Sequence, residues 1–166
     1  MDLLVIRHAD AAPAEPGQDD EIRPLTAKGR RAMKEVARGL VTLVPEIDVL
    51  ATSPLRRAVQ TAKIVRSAFG DPSRKELDAL APTGSRDDVL AWLQDRGDLE
   101  TVAIVGHEPH LGLLTSWLLA SPLNHFMEFK KGGACLITWP DHPTAGTAWL
   151  KWALTPGQLE KLGLAS

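Results

Sequence analysis

An α/β sandwich with a mostly parallel sheet is the fold class this sequence predicts, and three observations predict it. Two short apolar runs, Leu3-Leu4-Val5-Ile6 and Val102-Ala103-Ile104-Val105, show no alternation of polar and apolar residues. That is the pattern of strands buried on both faces of a parallel sheet. Segments with helical periodicity lie between the strand-like runs, and alternating strands and helices build parallel crossovers. The last two strand-like segments are separated by a loop rich in Pro, Asp and Gly, which predicts an antiparallel hairpin near the C-terminal end. The expected architecture is a three-layer α/β/α sandwich. The 166 residues suit one domain with a sizeable core.

Each element has a local reason. Residues 2–6 form the first strand. Residues 10–24 are rich in Ala, Pro, Gly and acids and lack periodicity; a loop of that length between a strand and a helix reads as a functional lid. Thr26 is a good N-cap, and Ala32, Met33, Val36, Ala37 and Leu40 follow at helical spacing with basic residues on the other face. Residues 47–51 read as a second strand. Pro54 then sits near the start of a helix over residues 55–69, which Gly70-Asp71-Pro72 stops. A short extended piece is expected over residues 76–80. Ser85 caps a helix through Val89, Leu90, Trp92 and Leu93, and Gly97 ends it. A strand over 101–105 precedes an apolar helix over 109–119. Residues 130–133 are turn material, 134–139 and 147–154 are the hairpin strands, and 157–162 form a terminal turn of helix. The five tryptophans read as packing residues rather than a recognition platform.

Composition narrows the function. Apolar residues make up 44% and charged residues 24%, the balance of a soluble globular protein. A formal net charge of −2 argues against nucleic-acid or anionic-membrane binding, while leaving room for a local basic pocket. Cys135 is the only cysteine, so no intrachain disulfide forms and a reducing compartment fits. No Cys/His cluster has zinc spacing. The N-terminal apolar run is short and is broken by Arg7, unlike a secretory signal. A cytoplasmic protein without metal or other cofactor is expected.

The chemistry lies at strand ends. Arg7-His8-Ala9 closes the first apolar run, and Gly106-His107 closes the second. In open α/β sheets, ligands bind just past the carboxyl ends of the strands, so both histidines are expected in one crevice. A lone strand-end histidine is most simply a hydrogen-bonded structural residue. Arg7 shifts that balance, because an arginine abutting a buried run is costly unless it meets an anion. Neutral imidazole is a nucleophile, and the guanidinium fork matches phosphate oxygens. Phosphoryl transfer through a phosphohistidine follows. Ser53-Pro54-Leu55-Arg56-Arg57 begins where the second strand ends, so it brings Ser53 and a helix N-terminus, a natural anion site, to the same edge. Arg57, one turn in, is expected over the crevice. Arg56 lies about a hundred degrees round the helix and is read as solvent-exposed. His107 ends a strand, whereas His110 falls in the following helix. Glu108 is read as a first-turn carboxylate suited to the helix dipole.

Taken together, Arg7-His8-Ala9, the spacing Ser53-x-Leu55-x-Arg57-Ala58-x-x-Thr61-Ala62 and Gly106-His107 resemble the histidine phosphatase superfamily, the phosphoglycerate mutase-like enzymes. Arg23-Pro24-Leu25-Thr26-x-x-Gly29 and the turn Lys130-Lys131-Gly132-Gly133 are similar to its small phosphohistidine phosphatase branch, the SixA type. The resemblance implies that His8 carries the phosphoryl group while Arg7, Arg57 and His107 surround its oxygens. Ser53 is placed with Arg7 and Arg57 among the substrate-binding residues. His8 must then be neutral, and His107 serves best as a charged donor. The family motif has Gly where this chain has Ala9. Mutase and phosphomonoesterase members also use a carboxylate as general acid; here Glu76, Asp78 and Glu108 are the candidates and none matches clearly. That absence suits a phosphoramidate, whose imidazole leaves readily. The expected function is therefore hydrolysis of phosphohistidine on a protein. The alternatives are a small-molecule phosphomonoesterase acting on a nucleotide or sugar phosphate, and a non-catalytic phosphate-binding module.

Overall fold

The computed structural model describes residues 1–120 and 125–165. Its strands are β1 (Asp2–Arg7), β2 (Val49–Thr52), β3 (Ser73–Glu76), β4 (Thr101–Gly106), β5 (Ala134–Thr138) and β6 (Trp149–Leu154). Its helices are α1 (Ala27–Leu43), α2 (Arg56–Ala68), α3 (Arg86–Gln94), α4 (His110–Ala120) and α5 (Pro156–Ala165). The strands form one sheet in the order β3-β2-β4-β1-β5-β6. The first four of these run parallel, β5 pairs antiparallel with β1, and β6 pairs antiparallel with β5.

The apolar runs of β1 and β4 are fully buried, and the two faces of each strand enter different cores. Leu3, Val5, Val102 and Ile104 pack with Val89, Trp92, Leu111 and Leu114 of α3 and α4. Leu4, Ile6, Ala103 and Val105 pack with Met33, Val36, Ala62, Val65 and Leu159 of α1, α2 and α5. This period-2 division makes the three layers. Each fully buried leucine or isoleucine contributes roughly 1.5–3 kcal/mol, so the central strands are held rigidly where they deliver His8 and His107.

The helix starts follow their caps. Thr26 Oγ1 accepts from Gly29 N at 2.8 Å, and Ser85 Oγ accepts from Asp88 N at 3.2 Å. Gly29 also lets α1 pass tightly against the carbonyl of Asp10; a Cβ there would collide with that oxygen.

Among the boundaries that differ from the sequence reading, three bear on the fold. The extended piece expected over 76–80 is β3 at Ser73–Glu76, and Asp78–Leu80 is a 3₁₀ turn. The Ser-Arg-Lys-Glu strand has no apolar pattern to read: it is a polar edge held by main-chain pairing to β2. The second strand lies at Val49–Thr52 rather than 47–51. The terminal turn expected over 157–162 is the longer α5, fixed by packing on α1, where Gly39 and Gly163 permit close backbone approach.

Candidate active site

β1 and β4 pair with Arg7 opposite Gly106, so the next residues, His8 and His107, leave the sheet side by side. Their ring centroids are 4.9 Å apart, and both side chains are buried. His8 N donates to Gly106 O at 3.1 Å, and Gly132 N donates back to His8 O at 3.1 Å. The turn before β5 thus clamps the His8 backbone. Ala9 N donates to Thr61 Oγ1 at 3.1 Å, and that hydroxyl donates to Arg57 O at 2.8 Å, which seats the start of α2 against the end of β1.

The His8 ring is oriented by Nδ1–H donating to Ala9 O at 2.7 Å. That bond places the proton on Nδ1 and leaves the lone pair on Nε2. Burial, opposed by this hydrogen bond and aided by the charges of Arg57, Arg7 and Lys131, pushes the His8 pKa down to about 4. The ring is neutral at pH 7, as a nucleophile requires.

His107 departs from the charged donor expected of it. Burial, with help from His8 and Arg57, lowers its pKa to about 3 against the opposing charge of Asp20, so it too is neutral. Its Nε2 lies 2.8 Å from Ser53 Oγ, while its Nδ1 is buried without a partner among the described residues. The tautomer in which the Ser53 hydroxyl donates to Nε2 puts the ring proton on Nδ1. Ser53, expected to touch substrate, is fully buried and also accepts from Leu55 N at 3.3 Å. Its hydroxyl meets His107.

The two arginines come from different elements, Arg7 from the end of β1 and Arg57 from the first turn of α2. Arg7 Nη1 donates to Phe129 O, Phe129 N donates to Glu108 Oε1 at 2.9 Å, and Arg7 Nε is buried without a partner among the described residues. Arg57 turns inward, 4% exposed, while Arg56 is exposed and reaches only Ile22 O at 3.4 Å. Arg57 Nη1 donates to Asp20 O at 2.7 Å and Nη2 to Asp20 Oδ2 at 2.8 Å; its Nε is buried and has no partner among the described residues.

Asp20 is the residue sequence reasoning missed. It opens a 3₁₀ turn, Asp20–Ile22, within the loop read as a lid. Its Oδ1 accepts from Arg23 Nε at 2.6 Å, and Arg23 Nη1 donates to Ala12 O at 2.8 Å. Burial opposes ionisation of Asp20, but the hydrogen bonds and charges of Arg57 and Arg23 outweigh it and hold the carboxyl below its usual range. The signal available was the Asp-x-x-Arg spacing of Asp20 and Arg23 in an otherwise featureless loop.

The general-acid candidates fall apart in space. Glu76 is exposed at the end of β3 and pairs with Arg74 at 3.1 Å; Asp78 is exposed at the start of the 3₁₀ turn. Glu108 is nearly buried, and burial raises its pKa, but Oε1 is taken by Phe129 N. His110 is buried in the first turn of α4 and is not among the residues that converge with His8. Among the described residues, no group of three or more His, Cys, Asp or Glu is placed to hold a metal ion, and no helix is long and apolar enough to cross a membrane.

Residues 3–81 match the family model of the histidine phosphatase superfamily, branch 1. A phosphohistidine phosphatase SixA of Escherichia coli is 33% identical over 163 residues, 96% of this chain and 97% of that protein. The solved structure of the protein histidine phosphatase SixA complexed with tungstate superposes with a TM-score of 0.84 at 29% identity, covering 96% of this chain and 99% of that one. An alpha-ribazole phosphatase from Shigella flexneri, at 18% identity, shares the fold with a TM-score of 0.76 over 94% of this chain and 97% of its own. The chain belongs to the histidine phosphatase superfamily and is a phosphatase of its SixA-type branch.

Proposed function

We propose that this phosphatase hydrolyses phosphohistidine on a protein, with His8 as the nucleophile. One observation carries the reading: neutral His8 stands beside His107, Arg7 and Arg57, and the carboxylate nearest Arg57 is held ionised. Asp20 accepts hydrogen bonds from two arginines and is unsuited to give a proton to a leaving group. An alkoxide leaving group needs such a donor. A phosphohistidine protonated at its second ring nitrogen leaves as neutral imidazole and needs none.

In the first step the Nε2 lone pair of His8 bonds to phosphorus as the bond from phosphorus to the substrate nitrogen breaks. Nδ1–H stays on Ala9 O, which stabilises the cationic phospho-His8 ring. Arg7, Arg57 and the free Nδ1 of His107 supply donors for the phosphoryl oxygens, the positioning and charge stabilisation that this chemistry asks of a protein. Water then attacks phosphorus, the bond to His8 breaks, and inorganic phosphate and a proton are released. The similarity to SixA proteins supports the substrate class. So does the placement of residues 77–94, which pack Ala79, Leu80, Val89, Trp92 and Leu93 into the core rather than forming a separate cap.

Competition tests the reading. A phosphohistidine-bearing protein should be dephosphorylated with higher kcat/KM than nucleotide or sugar phosphates offered together with it. A large margin in favour of a nucleotide or sugar phosphate would make this a small-molecule phosphomonoesterase. Tight phosphate binding without turnover would make it a binding module.

A further inference from the structure

Charge is unevenly placed on this molecule. Of its 19 lysines and arginines, nine lie on α1 and α2, which together carry one acid, Glu35. The two helices run side by side on one face of the sheet and leave a groove of about 600 Å³ between them. Arg30, Lys34, Arg38 and Lys63 rim it, all exposed, and Val41 and Ile64 lie half-buried along it. Arg38 is paired with Glu35 at 2.7 Å; Arg30, Lys34 and Lys63 have no ion-pair partner among the described residues. No acid lines the groove. In a chain of net charge −2, the unpaired cations Arg30, Lys34 and Lys63 along this groove make a local positive field rather than a general excess.

The groove is tied to the loop that carries Asp20. Gln60 lines it one turn beyond Arg57, and Gln60 Oε1 accepts from Leu25 N at 2.8 Å, at the end of the loop that carries Asp20. An occupant of the groove therefore contacts the helix whose first turn carries Arg57.

We propose that the α1–α2 groove docks an acidic amphipathic helix of the phosphorylated protein on which the enzyme acts. The apolar strip suits the apolar face of a helix, and the unpaired cations suit acids on its flanks. Nucleic acid fits less well, because no aromatic side chain lines the groove for base stacking and a phosphate backbone makes no use of the apolar strip. A membrane surface would meet the rim and leave the recessed strip unfilled. The link to catalysis rests on the protein-substrate reading, whereas binding in the groove does not.

The test uses a fluorescein-labelled amphipathic helix with Glu on one face and Leu on the other, its scrambled isomer, a single-stranded RNA and anionic phosphatidylserine vesicles. The variants are K34E/K63E and Ile64→Ser, with unchanged melting confirming that they fold. The amphipathic helix should bind wild type more tightly than its scrambled isomer does. K34E/K63E should weaken it about tenfold or more, and Ile64→Ser severalfold with no change of charge. K34E/K63E should also raise KM for a phosphohistidine protein about tenfold at unchanged kcat, and leave turnover of a small phosphoramidate unaffected. Equal binding of the scrambled isomer, indifference to both variants, or preference for RNA or vesicles would overturn the proposal. Peptide binding without a KM change would overturn the assignment of the groove to substrate. If the protein-substrate reading itself fails, wild type will not turn over the phosphohistidine protein, while the peptide results stand.

Discussion

Arg57 donates both terminal nitrogens to Asp20, Nη1 to the carbonyl at 2.7 Å and Nη2 to Oδ2 at 2.8 Å. A loop residue thereby holds the arginine assigned to the phosphoryl oxygens, and a bound phosphate meets a carboxylate already at that arginine. Asp20→Asn removes the negative charge while keeping an oxygen acceptor. The pair is half exposed on the Asp20 side, where ion pairs are worth about 1 kcal/mol or less. Inhibition by inorganic phosphate should therefore tighten by about two- to fivefold in Asp20→Asn. Weaker inhibition would mean that Asp20 positions Arg57 more than it competes with the anion.

Glu108 separates structural anchoring from acid catalysis. Its carboxylate holds Phe129 N, and the Phe129 carbonyl holds Arg7. Glu108→Gln retains an oxygen for that N–H and should keep kcat/KM for phosphohistidine within about threefold. Glu108→Ala leaves the N–H unpaired, at about 1–3 kcal/mol, and loosens Arg7. A loss of about tenfold or more is expected there. Near-abolition by Glu108→Gln would instead identify Glu108 as the proton donor.

Both histidines should stay neutral well below the usual imidazole range. Imidazole nitrogen NMR of the free enzyme should show His8 titrating near 4 and His107 near 3, against 6.5 for an unperturbed ring. Between those values the unfolded chain binds protons that the folded chain does not. Stability is thus complete above about 6.5 and declines as pH falls toward 4, by up to roughly 1.4 kcal/mol per pH unit for each ring. The melting midpoint should drop between pH 7 and pH 5, and drop less in His107→Asn. A His107 ring already charged at pH 6 would restore the charged-donor role expected from sequence.

How much of this was legible in sequence follows the range of the interactions. His8 and His107 were readable because a short, wholly apolar run followed by His marks the carboxyl end of a buried strand, and parallel pairing fixes the neighbours. Arg57 was separable from Arg56 by helical geometry alone, given only the start of α2. β3 was not readable at 73–76, because a polar edge strand takes its structure from β2 rather than from its own pattern. Asp20 was hidden for a related reason. Its partner Arg57 lies 37 residues away, and only the Asp-x-x-Arg spacing to Arg23 sets it apart locally from Asp19 or Glu21. The contact of Ser53 with His107 was not legible, since only the register of β2 against β4 shows that its hydroxyl meets that ring.

The central claim is that His8 carries the phosphoryl group, and trapping the covalent enzyme tests it most directly. Wild type quenched during turnover of a labelled phosphohistidine protein or small phosphoramidate should yield an acid-labile, base-stable label on the peptide containing His8. Folded His8→Ala, confirmed by circular dichroism, should carry no label and lose turnover by orders of magnitude. An acid-stable, base-labile acyl phosphate on a carboxylate, or a full rate in His8→Ala, would contradict the account.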